Sequence, residues 1–174
     1  MRYIIPVISA VAALAAGVWA APILKKGPSH LDEVISMAQI KTVTMEVRPL
    51  PRTLRGRLVT TTRVEKIFRE ELESIGVEVK RKRAQNIPHL VLSVRGATDT
   101  NQPGAVALYT LIAVQQDVDL KRLSRSLRVM THITVDVHLT TVDRAVADVE
   151  SRVRHAVQIH GRLADQATKA LHES

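Results

Sequence analysis

Residues 130–141, MTHITVDVHLTT, alternate with a two-residue period along almost their whole length. Successive side chains of an extended strand point to opposite sides, so this period selects a strand over a helix. One side carries Thr131, Ile133, Val135, Val137 and Leu139, mostly branched and apolar; the other carries Met130, His132, Thr134, Asp136 and His138. A strand divided in this way belongs to a sheet with one covered face and one wet face. The apolar side is expected to be covered, and the side of His132, Asp136 and His138 is expected to meet solvent or another protein.

The rest of the chain supplies partners for such a strand. QIKTVTMEV, residues 39–47, alternates with Val43, Met45 and Val47 on one side. HLVLSVRG, residues 89–96, does so with Leu90, Leu92 and Val94, and residues 105–120 form a long β-branched run. Between the first two lies a helical period: Val64, Ile67, Phe68, Leu72 and Ile75. Thr62 with Glu65 three residues on reads as a capping box at its start, and Gly76 as a left-handed stop. The turn-rich ATDTNQPG, residues 97–104, separates the second and third strands, and the polar KRLSRSLR, residues 121–128, links the third to the fourth. From Thr141 onward Val142, Val146, Val149, Val153, Val157, Leu163, Ala167 and Leu171 recur at helical spacing. The stripe covers about 28 residues, or roughly 42 Å of helix, weakened at Gly161. A helix of that length is expected to overhang a four-strand sheet and to reach solvent or a partner at its far end.

The order β-α-β-β-β-α with short links predicts an α+β two-layer sandwich: a four-stranded, mainly antiparallel sheet with both helices on one face. An apolar segment precedes it. Residues 3–24 carry no charge, only Arg2 lies before them, and Lys25 and Lys26 follow. A helix of 22 residues spans roughly 33 Å, about one hydrocarbon core. Residues 1–26 are therefore expected to form a signal-anchor, with Trp19 and the lysines at the interface. The alternative is a secretory signal cleaved after Ala20, for which Val18-Trp19-Ala20 provides a small-residue exit. Residues 27–38 form a linker and a short helix, and residues 39–174 the domain, expected in the periplasm or outside the cytoplasmic membrane; a freely soluble periplasmic or secreted product is the alternative.

Composition limits the chemistry. There is no cysteine, hence no disulfide, thiolate metal site or cysteine nucleophile. Four aromatic residues, two of them in the leader, leave Phe68 and Tyr109 for the domain, too few for a base-stacking platform. A nucleic-acid partner is therefore not expected. The net charge of +8 favours acidic partners. It is concentrated in the Arg48, Arg52, Arg55, Arg57 loop, in Lys80, Arg81, Lys82 and Arg83, and in Arg122, Arg125 and Arg128. These groups read either as solubilising loops or as a surface for anionic lipid head groups or an acidic protein, each charge near such a bilayer gaining about 1 kcal/mol. Asp136 and His138 lie roughly 6.7 Å apart along a strand, within reach of one metal, whereas His132 stands about 13 Å from Asp136. A solvated strand face accounts for them more simply. No phosphate loop, His-Glu-x-x-His motif or nucleophile elbow occurs. No enzyme activity, metal or cofactor is expected.

The succession of an exported leader, VTMEV, the helix VEKIFREELESIGVEV, PHLVLSVRG, two long strands and a closing helix resembles small uncharacterised bacterial envelope proteins. The shared feature is a two-layer α/β domain like that of the LPS-assembly lipoprotein or the amino-terminal domain of the Tol-system translocation protein. The resemblance covers about residues 40–171. It implies a non-catalytic envelope domain that acts through contacts with membrane and protein subunits, as an accessory part of a larger assembly. The cysteine that bears the lipid in the lipoproteins is missing, and no functional residues are carried over.

Overall fold

The computed structural model describes residues 35–51, 54, 59–84, 86–98, 101–102 and 104–173. The expected anchor, the first part of the linker, and Arg52, Arg55 and Arg57 lie outside these residues. Among the described residues no helix is long and apolar enough to cross a membrane.

The first strand, β1, runs Thr42–Val47, as its alternation predicts. Helix α1 covers Thr61–Ser74. Its cap is Thr60, two residues earlier than the expected box: the Thr60 hydroxyl accepts from the Arg63 N–H at 3.1 Å. Three threonines in a row make the competent cap ambiguous in sequence. The stop is as expected. Gly76 takes φ +82, the Val77 N–H reaches the Leu72 carbonyl and the Gly76 N–H that of Glu73, the paired bonds of a Schellman ending.

Glu78–Lys80 then forms a short strand, β2, which joins β1 in parallel. β3 is His89–Thr98, β4 is Ala105–Leu120, and β5 is Arg125–Thr141, with a single 3-10 turn at Lys121–Leu123 between the last two. Helix α2 spans Ala145–Glu173. The sheet has five strands in the order β2-β1-β3-β4-β5, mixed and open. This corrects the expected four-stranded, mainly antiparallel sheet. β1 is parallel to both neighbours, and only the β3-β4-β5 meander is antiparallel. Three residues of β2 are too few to display a period, and their pairing is decided by the tight Gly76 exit, after which the Glu78 N–H donates to the Lys41 carbonyl.

Both helices cover one face of the sheet. Their apolar stripes meet the inward side chains of β1, β3 and β4 in one core: Val43, Leu90, Leu92, Val94, Leu108 and Ile112 from the strands, Val64, Phe68 and Leu72 from α1, Val149, Val153 and Val157 from α2. Gly161 sits where the helices approach closely; a Cβ there would lie 3.1 Å from Ile75 Cδ1. The helices are also joined on their solvent side by Arg63 to Glu150, and by Arg154 and Gln158 to Glu71.

β5 is the outermost strand, and its orientation is the reverse of the expected one. His132 and Thr134 are buried beneath α2, whereas Ile133, Val135, Val137 and Leu139 are 46%, 45%, 62% and 77% exposed. The reason is register. β4 places Leu108, Thr110, Ile112 and Val114 in the core, and their partners on β5 are His138, Asp136, Thr134 and His132. A pleated pair keeps directly opposed residues on one face, so β5's polar side must follow β4 inward. A bulge between Val114 and Gln115 leaves Thr131 as the extra residue, which restarts the alternation beyond it.

Candidate functional site

The structure offers three places where a site could lie, and the described sequence-predicted residues fall in the first two. The first is a polar layer between β5 and α2. Thr140 and His138 face Asp148, the former donating to its carboxylate and the latter with Nε2 at 3.7 Å. Asp136 faces Arg152 at 3.8 Å, and His132 Nε2 lies 3.2 Å from the Thr134 hydroxyl. Further along, the His132 ring meets that of His160, centroid to centroid 6.3 Å and tilted by 52°. Burial, reinforced by the neighbouring His132, pushes the His160 imidazole down to about 4. It is neutral at physiological pH, because a buried cation would be unsolvated. His132, Asp136 and His138 are thus spread along the seam and matched one by one with α2, and not converged on a common point. No group of three metal-ligating side chains occurs among the described residues. His160 is the partner that sequence reasoning left out; its five-residue offset from His155 gave no sign that β5 would supply a second ring.

The second place lies on the opposite sheet face, over β1 and the start of β3. Lys80, Arg81, Lys82 and Arg83 are exposed, and the link they begin must carry the chain from β2 past β1 to β3. It crosses on the side away from the helices: Arg83 reaches Glu46 at 3.8 Å, and the Asn86 N–H donates to Asp117 at 3.3 Å. His89 is buried there, its Nδ1 2.9 Å from the Thr44 hydroxyl and its Nε2 3.5 Å from Glu46. Burial first, and the Arg83 charge next, lower its pKa. Lys80 is spent on Glu78 at 2.5 Å and Arg48 on Glu46 at 3.3 Å. Beyond His89, β4 and β5 continue as a two-stranded ribbon. Its base is held by Arg128, which donates to both Asp117 oxygens at 2.8 and 2.7 Å. That pairing keeps the Asp117 carboxyl below its ordinary range. The tip presents Leu123 among Lys121, Arg122 and Arg125.

The third place was not singled out by sequence reasoning. On the same outer face, beside the link, β4 and β5 carry Tyr109, Leu111, Val135, Val137 and Leu139 side by side: Leu139 opposes Ala107, Val137 opposes Tyr109, and Val135 opposes Leu111. Tyr109 is also exposed, and Met130 continues the row towards the ribbon. Scattered apolar side chains are ordinary on a protein surface, but a contiguous strip on an edge strand is a contact surface. The signal that would have found it is the register of β5 on β4, which the period alone does not contain.

A cleft of about 610 Å³ opens between the end of α1, the start of β1 and the last third of α2. Val43, Leu72 and Leu90 form its floor, His160 its inner wall, and Lys41, Asp165 and His172 its rim.

No family model and no curated protein matches the chain. Among solved structures it is similar to an uncharacterised protein, at 11% identity over 75% of this chain and 90% of that one, with a TM-score of 0.36. It is similar to a putative lipoprotein from Caulobacter crescentus at 16% identity, covering 82% of this chain and 96% of that one, with a TM-score of 0.34. It is also similar to the rare lipoprotein B of Shewanella oneidensis at 14% identity, covering 76% and 92%, with a TM-score of 0.26. Likenesses this distant leave the function to be argued from the chain itself.

Proposed function

We propose that this chain is a non-enzymatic interaction domain of the bacterial cell envelope, tethered by its apolar leader and serving as an accessory subunit of a larger membrane assembly. The observation that carries this reading is the apolar strip of β4 and β5. Exposing Val135, Val137 and Leu139 to water on one face forgoes burial worth about 1.5–3 kcal/mol for each side chain, and a subunit seated on the strip recovers it. The polar side of the same strand supports the non-catalytic part: His138, Asp136 and Thr140 are engaged by α2 and stand apart from any converging site. The leader's 22 uncharged residues, followed by Lys25 and Lys26, support a tether with the domain on the extracytoplasmic side. The exposed Arg81, Lys82, Arg122 and Arg125 suit anionic lipid head groups near that tether.

Co-purification from native membranes in gentle detergent tests this. The protein is expected to migrate with other subunits, and Tyr109→Glu, in the middle of the strip, to release them without unfolding the domain. A chain that migrates alone and monomeric refutes the reading.

A further inference from the structure

Resting on that reading, we infer that one partner of β5 is a second copy of this chain, joined β5 to β5 along the strand edge in antiparallel register about a two-fold axis at Val135. β5 is the last strand of the sheet, and from Ile133 to Thr141 it contains no proline, lysine or arginine, the residues that usually blunt an edge. Its inner side is held rigid by α2, so the edge is presented ready for pairing. Isologous pairing needs a surface that fits itself. With the axis at Val135, Ile133 of each copy lies opposite Val137 of the other, and Val135 opposite itself. Apolar, β-branched cross-strand pairs of this kind stabilise sheets.

Charge selects both the partner and the register. The protein carries +8, yet residues 129–141 hold no Lys or Arg, and their one acid, Asp136, faces inward to Arg152. Val135 is the midpoint of that stretch. An antiparallel pair centred there places the basic ribbons, with Lys121, Arg122 and Arg125, at opposite ends of the dimer. Two strongly cationic chains thereby meet at their uncharged section. Moving the axis to residue 136 sets Asp136 directly against its copy, a like-charge pair that disfavours the register.

The absence of cysteine from the chain gives a clean test. Full-length protein in detergent is examined by light scattering, and Val135→Cys and Leu139→Cys variants are oxidised under the same conditions. Directly opposed strand residues have Cα atoms about 4.5–5.5 Å apart, within disulfide range. In the proposed register the two Leu139 positions stand eight residues apart along the strands, roughly 27 Å. Leu139 is the more exposed of the two, so random collision favours it. The inference expects a mass of two chains and a cross-linked fraction at Val135→Cys at least about tenfold that at Leu139→Cys. A monomer at all concentrations, or cross-linking at Leu139→Cys equal to that at Val135→Cys, overturns it. A monomer that still co-purifies with other subunits sinks this pairing alone; a dimer that brings no other subunit sinks the accessory role alone.

Discussion

His160 illustrates how one side chain couples the fold to pH. In the folded chain it is 3% exposed and its pKa is pushed down to about 4 from 6.5. The unfolded chain takes up the proton near pH 6.5, the folded one only near 4, so the stability tied to the neutral ring is fully present above 6.5 and is lost as pH falls through that window. The loss reaches about 3 kcal/mol by pH 4. His160→Leu is expected to flatten the fall in unfolding free energy between pH 7 and pH 4 by most of that amount, read from urea denaturation at each pH. His89, lowered in the same direction, contributes to the slope that persists. Gly76 is the other residue with a sharp requirement. At φ +82 an L side chain is strained, so Gly76→Ala is expected to cost about 1 kcal/mol in the same measurement although nothing crowds the position.

At the scale of the element, β5 carries the most discriminating expectation. Thr134 and Val135 are neighbours, and sequence patterning assigns the first to water and the second to the core. The structure places Thr134 beneath α2 and leaves Val135 exposed. Thr134→Glu is therefore expected to destabilise the domain by about 2 kcal/mol or more, since it buries an unpaired carboxylate. Val135→Glu, measured dilute enough for the chain to be monomeric, is expected to stay within about 0.5 kcal/mol of the parent. Thermal or urea unfolding of the two variants decides it; the opposite ranking would restore the orientation that alternation alone suggests. The other elements were legible. β1, β3 and β4 occupy the predicted stretches, and β1 and β3 turn the predicted sides inward, because there apolar means buried. α2 starts four residues after Thr141 and runs through Gly161, since packing against Ile75 offsets the glycine's weakness.

For the whole molecule, one core joins both helices to the sheet, and Phe68 is its largest member. Phe68→Ala is expected to remove about 3–5 kcal/mol and to lower unfolding in one cooperative transition, because no second core exists among the described residues to survive it. Of the candidate site, the sequence announced the basic groups and the polar row of β5 but misplaced the row. A two-residue period states that a strand has two unlike sides; it does not state which side the neighbouring strand and helix will require. That choice belonged to Thr110 and Ile112 across the ladder and to Asp148 and Arg152 above it, which face Thr140, His138 and Asp136 from the helix.

What the amino-acid sequence determined by itself was local: strands where branched residues alternate, helices where apolar residues recur every three or four, the left-handed stop at Gly76, the uncharged run of residues 3–24, the excess of positive charge. These follow from backbone geometry and from transfer of side chains out of water, and each is decided within a dozen residues. Tertiary structure alone decided the parallel placement of β1 between β2 and β3, the burial of His132 against His160, and the outward turn of Ile133, Val135, Val137 and Leu139. Each of those depends on hydrogen-bond register between segments far apart in the chain, and register is an energy of pairs, which no single stretch of sequence contains.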